Sequence, residues 1–315
     1  VSESENPDGT VSWRQLRDEA ERRLSRASGP DAAGVDPAVA ALDARRIAER
    51  ASGLEGADWV LGCDAPATRR GVAFFDTMLE RRLAGEPLQY VVGSWGFRTL
   101  DLLVDRRVLI PRPETEVVVE HALAEVDRIR AATPDRTDAV VAVDLGTGSG
   151  AIGLSLAVER PGLAVWMTDA SAEALAVAGA NLAGLGRAGT GARLVEGSWF
   201  DALPAGLVGE IDVVVSNPPY VGTGDDLPEV VREWEPTRAL LAGPDGLDDI
   251  RVLVDQAPRW LRPGGALVVE LAPDQAAEVA RLASGAGFVE VTVEPDLAGR
   301  PRCLVARRAG PGSLR

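Results

Sequence analysis

Apolar residues in the first quarter of the chain recur at three- and four-residue steps. Trp13, Leu16, Ala20 and Leu24 form one stripe, and Val39, Leu42, Ile47 and Ala48 form a second. Phe74, Phe75, Met78, Leu79 and Leu83 form a third, with Glu80, Arg81 and Arg82 on the opposite face. That period belongs to amphipathic helices, and Pro30, Gly34, Gly53, Gly62 and Pro66 punctuate it. The pattern predicts a small helical bundle over residues 11–83, with the aromatic and methionine stripe in its core. Residues 84–109 read as a linker with two short strands. From residue 110 the period changes. Strands are placed at 139–144, 163–168, 192–196, 211–215, 266–270, 288–293 and 302–307, alternating with helical stretches, and Pro263-Gly264-Gly265 marks a turn. This α/β alternation over residues 110–308 predicts a largely parallel sheet with helices on both faces. Residues 1–10 and 309–315 read as polar tails.

Three strand ends carry candidate chemistry. The first run leads through Asp144-Leu145 into Gly146-Thr147-Gly148-Ser149-Gly150 and then an apolar helical pattern from Ala151 to Ala157. Strand, glycine turn and helix form the nucleotide-binding βα unit, in which glycines let the backbone approach a ligand. The spacing G-x-G-x-G is not the dinucleotide fingerprint, and no lysine follows, because the chain contains none. The loop therefore suits a nucleoside with little or no phosphate. The second run ends at Asp169, where a carboxylate can accept both ribose hydroxyls. Helix–sheet contact alone would also account for the glycines, and an N-cap of the next helix would account for Asp169.

The fourth run ends in Asn217-Pro218-Pro219-Tyr220, at the sheet edge where open α/β folds bind ligands. The Asn217 side-chain oxygen and the Pro218 carbonyl are two acceptors. The prolines fix φ and bring no N–H of their own. Such a pair suits a planar group bearing an NH2, and Tyr220 offers it an aromatic face. Read without its context, the tetrapeptide is a proline-rich turn that closes the strand.

Taken together, these features resemble the class I S-adenosylmethionine-dependent methyltransferases. More narrowly the chain resembles the HemK/PrmC family, which methylates the glutamine of the Gly-Gly-Gln motif of release factors. The resemblance runs from about residue 11 to 308. Glu86-Pro87-Leu88-Gln89-Tyr90, the segment Phe97–Val104 and above all Leu109-Ile110-Pro111-Arg112-Pro113-Glu114-Thr115-Glu116 carry it alongside the strand-end motifs. It departs from the family at Leu271-Ala272-Pro273, where a glycine is usual, and at Pro301, where an acid is usual. The resemblance implies a seven-stranded sheet with a reversed last strand and a helical bundle that recognises a protein substrate. It also implies S-adenosylmethionine as cofactor, with Gly146, Thr147, Gly148, Ser149 and Gly150 around its methionine and ribose, Asp169 on the ribose and Trp199 against the adenine. Asn217 then touches both cofactor and substrate, and Pro218, Pro219 and Tyr220 complete the substrate site. A core tryptophan is the alternative reading of Trp199. Asp144 reads as a support for the glycine turn. Glu114 and Glu116 read either as the rim of the cofactor site or as caps of a helix over 117–126.

Composition narrows the picture further. The chain has 315 residues, enough for about two domains, and 46% of them are hydrophobic. A net charge of −15 argues against a nucleic-acid surface and fits a basic partner or a cytoplasmic protein. No run is long and apolar enough to predict a membrane span. The first ten residues lack the pattern of a signal peptide. Cys63 and Cys303 read as reduced, buried thiols. The single histidine, His121, has no neighbouring ligand type, so no metal site is expected. Methylation of a ribosomal-protein glutamine, methylation of an exocyclic base amine, and an inactive cofactor-binding scaffold are the competing readings.

Overall fold

The computed structural model describes residues 10–26 and 36–310. The predicted tails, apart from residues 10, 309 and 310, lie outside them, as do Pro30 and Gly34. The chain divides into two compact units, Val1–Gly93 and Ser94–Arg315.

The first unit is helical. It holds α1 (Trp13–Arg26), α2 (Pro37–Ser52), α3 (Gly56–Gly62), α4 (Arg69–Leu83) and the short α5 (Leu88–Val92). Asp36 caps α2 by accepting the Ala38 N–H, with Pro37 supplying a preset φ, and Thr68 caps α4 by accepting from Gly71. Trp13, Ala20, Leu24, Ala44, Ile47, Phe75, Met78 and Leu79 share one buried cluster. Val39, Leu42 and Phe74 of the predicted stripes are instead exposed. The inward face of α2 is occupied by Ala40, Ala44, Ile47 and Ala48, which turns Val39 and Leu42 outward. Glu86–Val92, read as part of a linker, folds onto α4. There Arg81 pairs with Glu86 and donates to the carbonyls of Tyr90 and Val91. Arg82 reaches the buried Asp43 on α2 at 2.7 Å.

The second unit opens with a hairpin of β1 (Ser94–Phe97) and β2 (Leu100–Leu103), three residues earlier than the segment picked out by sequence. Then follow α6 (Thr115–Ala132), β3 (Val141–Leu145), α7 (Ala151–Glu159), β4 (Ala164–Asp169), α8 (Ala172–Gly184), β5 (Ala192–Glu196) and β6 (Ile211–Ser216). After β6 come α9 (Glu229–Trp234), α10 (Asp248–Trp260), β7 (Leu261–Glu270), α11 (Ala276–Gly285), β8 (Phe288–Pro295) and β9 (Pro301–Arg308). The sheet order is β5-β4-β3-β6-β7-β9-β8. β3 to β7 are parallel, and β9 runs antiparallel between β7 and β8. Every residue of β6 is buried, as expected of a strand covered on both faces. The chain winds outward from β3 to β5 and returns at β6. The crevice between the ends of β3 and β6 is therefore the topological switch point, where such sheets take ligands.

Two side chains hold the segment that leads to this crevice. Asn181 of α8 grips β2, accepting from the Leu103 N–H and donating to its carbonyl, and it also donates to the Ser149 carbonyl. Glu116 accepts the N–H of Arg98 at the hairpin turn, where φ is +51°, and Arg98 pairs with Glu159. Cys63 and Cys303 are both free and buried. Among the described residues no helix is long and apolar enough to cross a membrane, and no cluster of His, Cys, Asp and Glu could hold a metal.

Candidate active site

A cavity of about 300 Å³ opens at the C-terminal ends of β3, β4, β5 and β6. Its floor is the glycine turn. Gly146, Gly148 and Gly150 have φ of 72°, 56° and 88°, in the left-handed region that side chains resist. At Gly150 a Cβ would also stand 2.8 Å from Leu154 and 3.0 Å from Met167. The turn is tied down on both sides. Thr147 donates its backbone N–H to the Thr168 carbonyl at 2.8 Å and its hydroxyl to Asp144 at 2.5 Å. Asp144 Oδ2 also accepts the Gly153 N–H, so the carboxylate orients the turn as the sequence suggested.

Asp169 sits at the end of β4. One of its oxygens accepts the Gly148 N–H at 2.9 Å and the other accepts the Ser171 N–H at 2.8 Å. Each oxygen keeps lone pairs for a further donor. The N-cap of α8 is Ser171, which accepts from Ala174, so the capping role considered for Asp169 falls to its neighbour. Trp199 is half-buried, with φ of +45°. Its ring covers Gly146, and its indole N–H reaches Asp249, whose carboxyl is raised by burial.

At the end of β6 the half-buried Asn217 donates from Nδ2 to the Thr115 hydroxyl at 3.2 Å. Thr115 in turn donates to the buried Glu270 at 2.7 Å. The Tyr220 hydroxyl donates to the other oxygen of Glu270 at 3.2 Å. Burial and the nearby Glu270 hold the Tyr220 phenol well above its ordinary range. Gln275, just beyond the unusual Leu271-Ala272-Pro273, donates to the Tyr220 carbonyl at 2.9 Å. Gly146, Thr147, Gly148, Ser149, Asp169, Trp199, Asn217 and Pro219 all line the cavity. Gly150, Pro218 and Tyr220 are not among the lining residues. Glu114 and Glu116 do not line it either. Glu114 accepts from Arg300 and Glu116 from the hairpin, and neither side chain caps α6, which begins at Thr115.

The methyltransferase small domain matches residues 130–234, and the PrmC N-terminal domain matches residues 15–93. The release factor glutamine methyltransferase of Xylella fastidiosa is 43% identical over 249 residues, spanning 78% of this chain and 86% of that protein. The chain belongs to the release factor glutamine methyltransferase family. A second relative, from Deinococcus radiodurans and of the same description, is 40% identical over 308 residues, 94% of this chain and 99% of that one. A solved methyltransferase from Pyrococcus furiosus overlaps 75% of this chain and all of its own at 18% identity, with a TM-score of 0.45.

Several residues of this methyltransferase site were not read as site residues in sequence, although Leu109 and Pro111 lie in the run at 109–116 that carries the resemblance. Arg107, Val108, Leu109 and Pro111 form one wall, and Pro236, Arg238 and Ala239 another. Glu235 joins the two walls by accepting from the Arg112 guanidinium and the Ile110 N–H. Glu270 carried a readable signal, an acid ending the apolar run of β7 beside β6. Asp249 carried none.

Asp144 yields a pH prediction. Burial raises its carboxyl from 3.8 to about 6. A carboxyl easier to protonate in the folded state contributes stability that is complete below its unfolded value and lost as pH rises through the folded one. Its Oδ1 has no partner, while Oδ2 takes both bonds. In Asp144→Asn the amide oxygen can keep those bonds without titrating. The variant is expected to gain roughly 2–3 kcal/mol relative to the parent between about pH 4 and pH 7, read from urea unfolding at each pH. A constant difference would contradict it.

Proposed function

We propose that this enzyme transfers a methyl group from S-adenosylmethionine to the side-chain nitrogen of a glutamine in peptide chain release factors, that of the Gly-Gly-Gln motif. The observation that carries the reading is the end of β6, where Asn217 faces a cavity bounded by a glycine turn and a ribose-competent carboxylate.

The residues present fit the cofactor. An added Cβ would meet nothing within 4 Å at Gly148, so the backbone stands open to a ligand there, and the Asp169 oxygens have acceptor capacity left. Gly146 to Gly150 would hold the methionine and ribose portions, Asp169 the ribose hydroxyls and Trp199 the adenine. When bound, S-adenosylmethionine supplies an electrophilic methyl group on a sulfonium. The chain's own task is to present a poor nucleophile correctly. A carboxamide nitrogen shares its lone pair with the carbonyl and gains positive charge as it attacks. Asn217 Oδ1 and the Pro218 carbonyl accept its two N–H groups, stabilise that charge and aim the lone pair. Tyr220 does not line the cavity, and its hydroxyl is held by Glu270. Alignment supplies much of the remainder. The extra proton leaves to water after transfer, so no strong base is required. Recognition of the release factor falls to the helical unit, Val1–Gly93, with its exposed Leu42, Leu61 and Phe74.

A labelled-methyl assay tests this reading, with four acceptors offered side by side. Release factor should be labelled. Release factor with the Gly-Gly-Gln glutamine replaced, ribosomal protein and duplex DNA should not. Label on DNA, or on a ribosomal protein alone, would replace the proposal with one of those activities.

A further inference from the structure

The end of β7 supplies a carboxylate that the chemistry above does not use. Glu270 is 0% exposed. Each of its oxygens accepts one hydroxyl, Oε2 that of Thr115 on α6 and Oε1 that of Tyr220 beyond β6. Arg302 and Cys303 of β9 and Glu114 at the start of α6 are the other charged or titratable groups facing it.

Thr115 is also buried, at 4% exposure. Its hydroxyl has one proton, and that proton is committed to Glu270. What Thr115 offers Asn217 is therefore a lone pair. Asn217 answers with its NH2 end. The two ends of an asparagine amide have nearly the same shape, so only hydrogen bonding decides which faces which way. With Nδ2 engaged, Oδ1 is the end left to accept a donor from the cavity. We propose that Glu270 and Thr115 are positioning residues that lock the Asn217 amide with its oxygen toward the substrate, an inference that rests on the function proposed above.

The lock depends on the charge of Glu270. Ionised, the carboxylate can only accept, and the Thr115 proton must point to it. Protonated, it can donate to Thr115, which frees the threonine proton to turn toward Asn217 and invites the amide to rotate. Burial raises this carboxyl to about 7, with Arg302 and the two hydroxyls opposing the rise and Glu114 adding to it. Glu270 thus ionises close to neutral pH, and the competent orientation forms on the alkaline side.

The test uses the full-length enzyme and its Thr115→Val, Thr115→Ser and Glu270→Gln variants. Turnover on release factor, cofactor affinity by calorimetry and the Asn217 side-chain NH2 resonances by heteronuclear NMR are followed across pH. Thr115→Val should lower kcat about tenfold or more, the loss of roughly one buried hydrogen bond, with cofactor affinity within about threefold. Thr115→Ser should restore most of it. In the parent, kcat and the Asn217 resonances should titrate together near neutrality, and Glu270→Gln should abolish that titration. The proposal is overturned if Thr115→Val keeps kcat within about twofold, if Thr115→Ser fails as badly as Thr115→Val, or if the Asn217 resonances ignore all three substitutions. The NMR arm needs no substrate. Resonances that respond in an enzyme that labels no release factor would uphold the lock and sink the proposed function. Labelling with unresponsive resonances would do the reverse.

Discussion

Asn217→Ala should lower single-turnover methyl transfer about a hundredfold or more, the usual cost of removing one preorganised polar group aimed at developing charge. The nucleophile here starts neutral and becomes cationic, so an acceptor fixed against its N–H is worth more in the transition state than in the ground state. The loss should therefore fall on turnover. Affinity for S-adenosylmethionine should change far less, because the glycine turn, Asp169 and Trp199 are left as they are. Truncation also strips Thr115 of its donor, which adds to the defect without creating a new contact. Asn217→Asp makes a useful companion. It keeps an oxygen toward the cavity but places a second one against the Thr115 lone pair, so it should also be impaired. Rapid-quench transfer of a labelled methyl from preformed complex reads both. A rate for Asn217→Ala within about threefold of the parent would contradict the role given to this side chain.

Asp169→Ala should produce the opposite pattern, a collapse of cofactor affinity with turnover at saturation much less affected. The carboxylate is held between the N–H groups of Gly148 and Ser171. On the proposed reading its removal takes away the acceptor for two ribose hydroxyls, and it also frees the Gly148 N–H. Hydrogen bonds to a charged group contribute about 1.5–3 kcal/mol each, so two of them correspond to roughly a hundredfold or more in Kd. Calorimetric titration with S-adenosylmethionine or S-adenosylhomocysteine measures this directly. A loss of threefold or less would mean that Asp169 serves the turn and not the ribose.

Much of this could be read along the chain, for physical reasons. Strands covered on both faces must be nearly continuously apolar, so the runs of β3, β4 and β6 stood out, and the ends of the last two placed Asp169 and Asn217, whereas β5 and β8 are only partly buried and mix charged with apolar residues. Helix faces were harder. Val39, Leu42 and Phe74 fit a helical stripe, yet the bundle buries the alanine-rich side of α2 instead. The reversed last strand came only with the family resemblance, and the order of strands, with β9 entering between β7 and β8, has no local signature in the sequence. Supporting contacts were the least visible. Thr115 and Asn217 lie 102 positions apart, and Thr115 and Glu270 lie 155 apart. No spacing rule links residues that meet only because α6, β6 and β7 converge. The same holds for Arg112 and Glu235, which join two walls of the cavity across 123 positions. Glu114 and Glu116 read in sequence either as rim residues or as helix caps, but the Arg300 guanidinium claims the first and the Arg98 amide of the hairpin the second.

The most direct measurement is a crystal structure of the enzyme with S-adenosylhomocysteine and a release-factor fragment carrying Gly-Gly-Gln. The glutamine carboxamide should lie with one N–H on Asn217 Oδ1 and the other on the Pro218 carbonyl, its nitrogen facing the cofactor sulfur. A carboxamide bound with its oxygen toward Asn217, or its nitrogen turned away from that sulfur, would contradict the account.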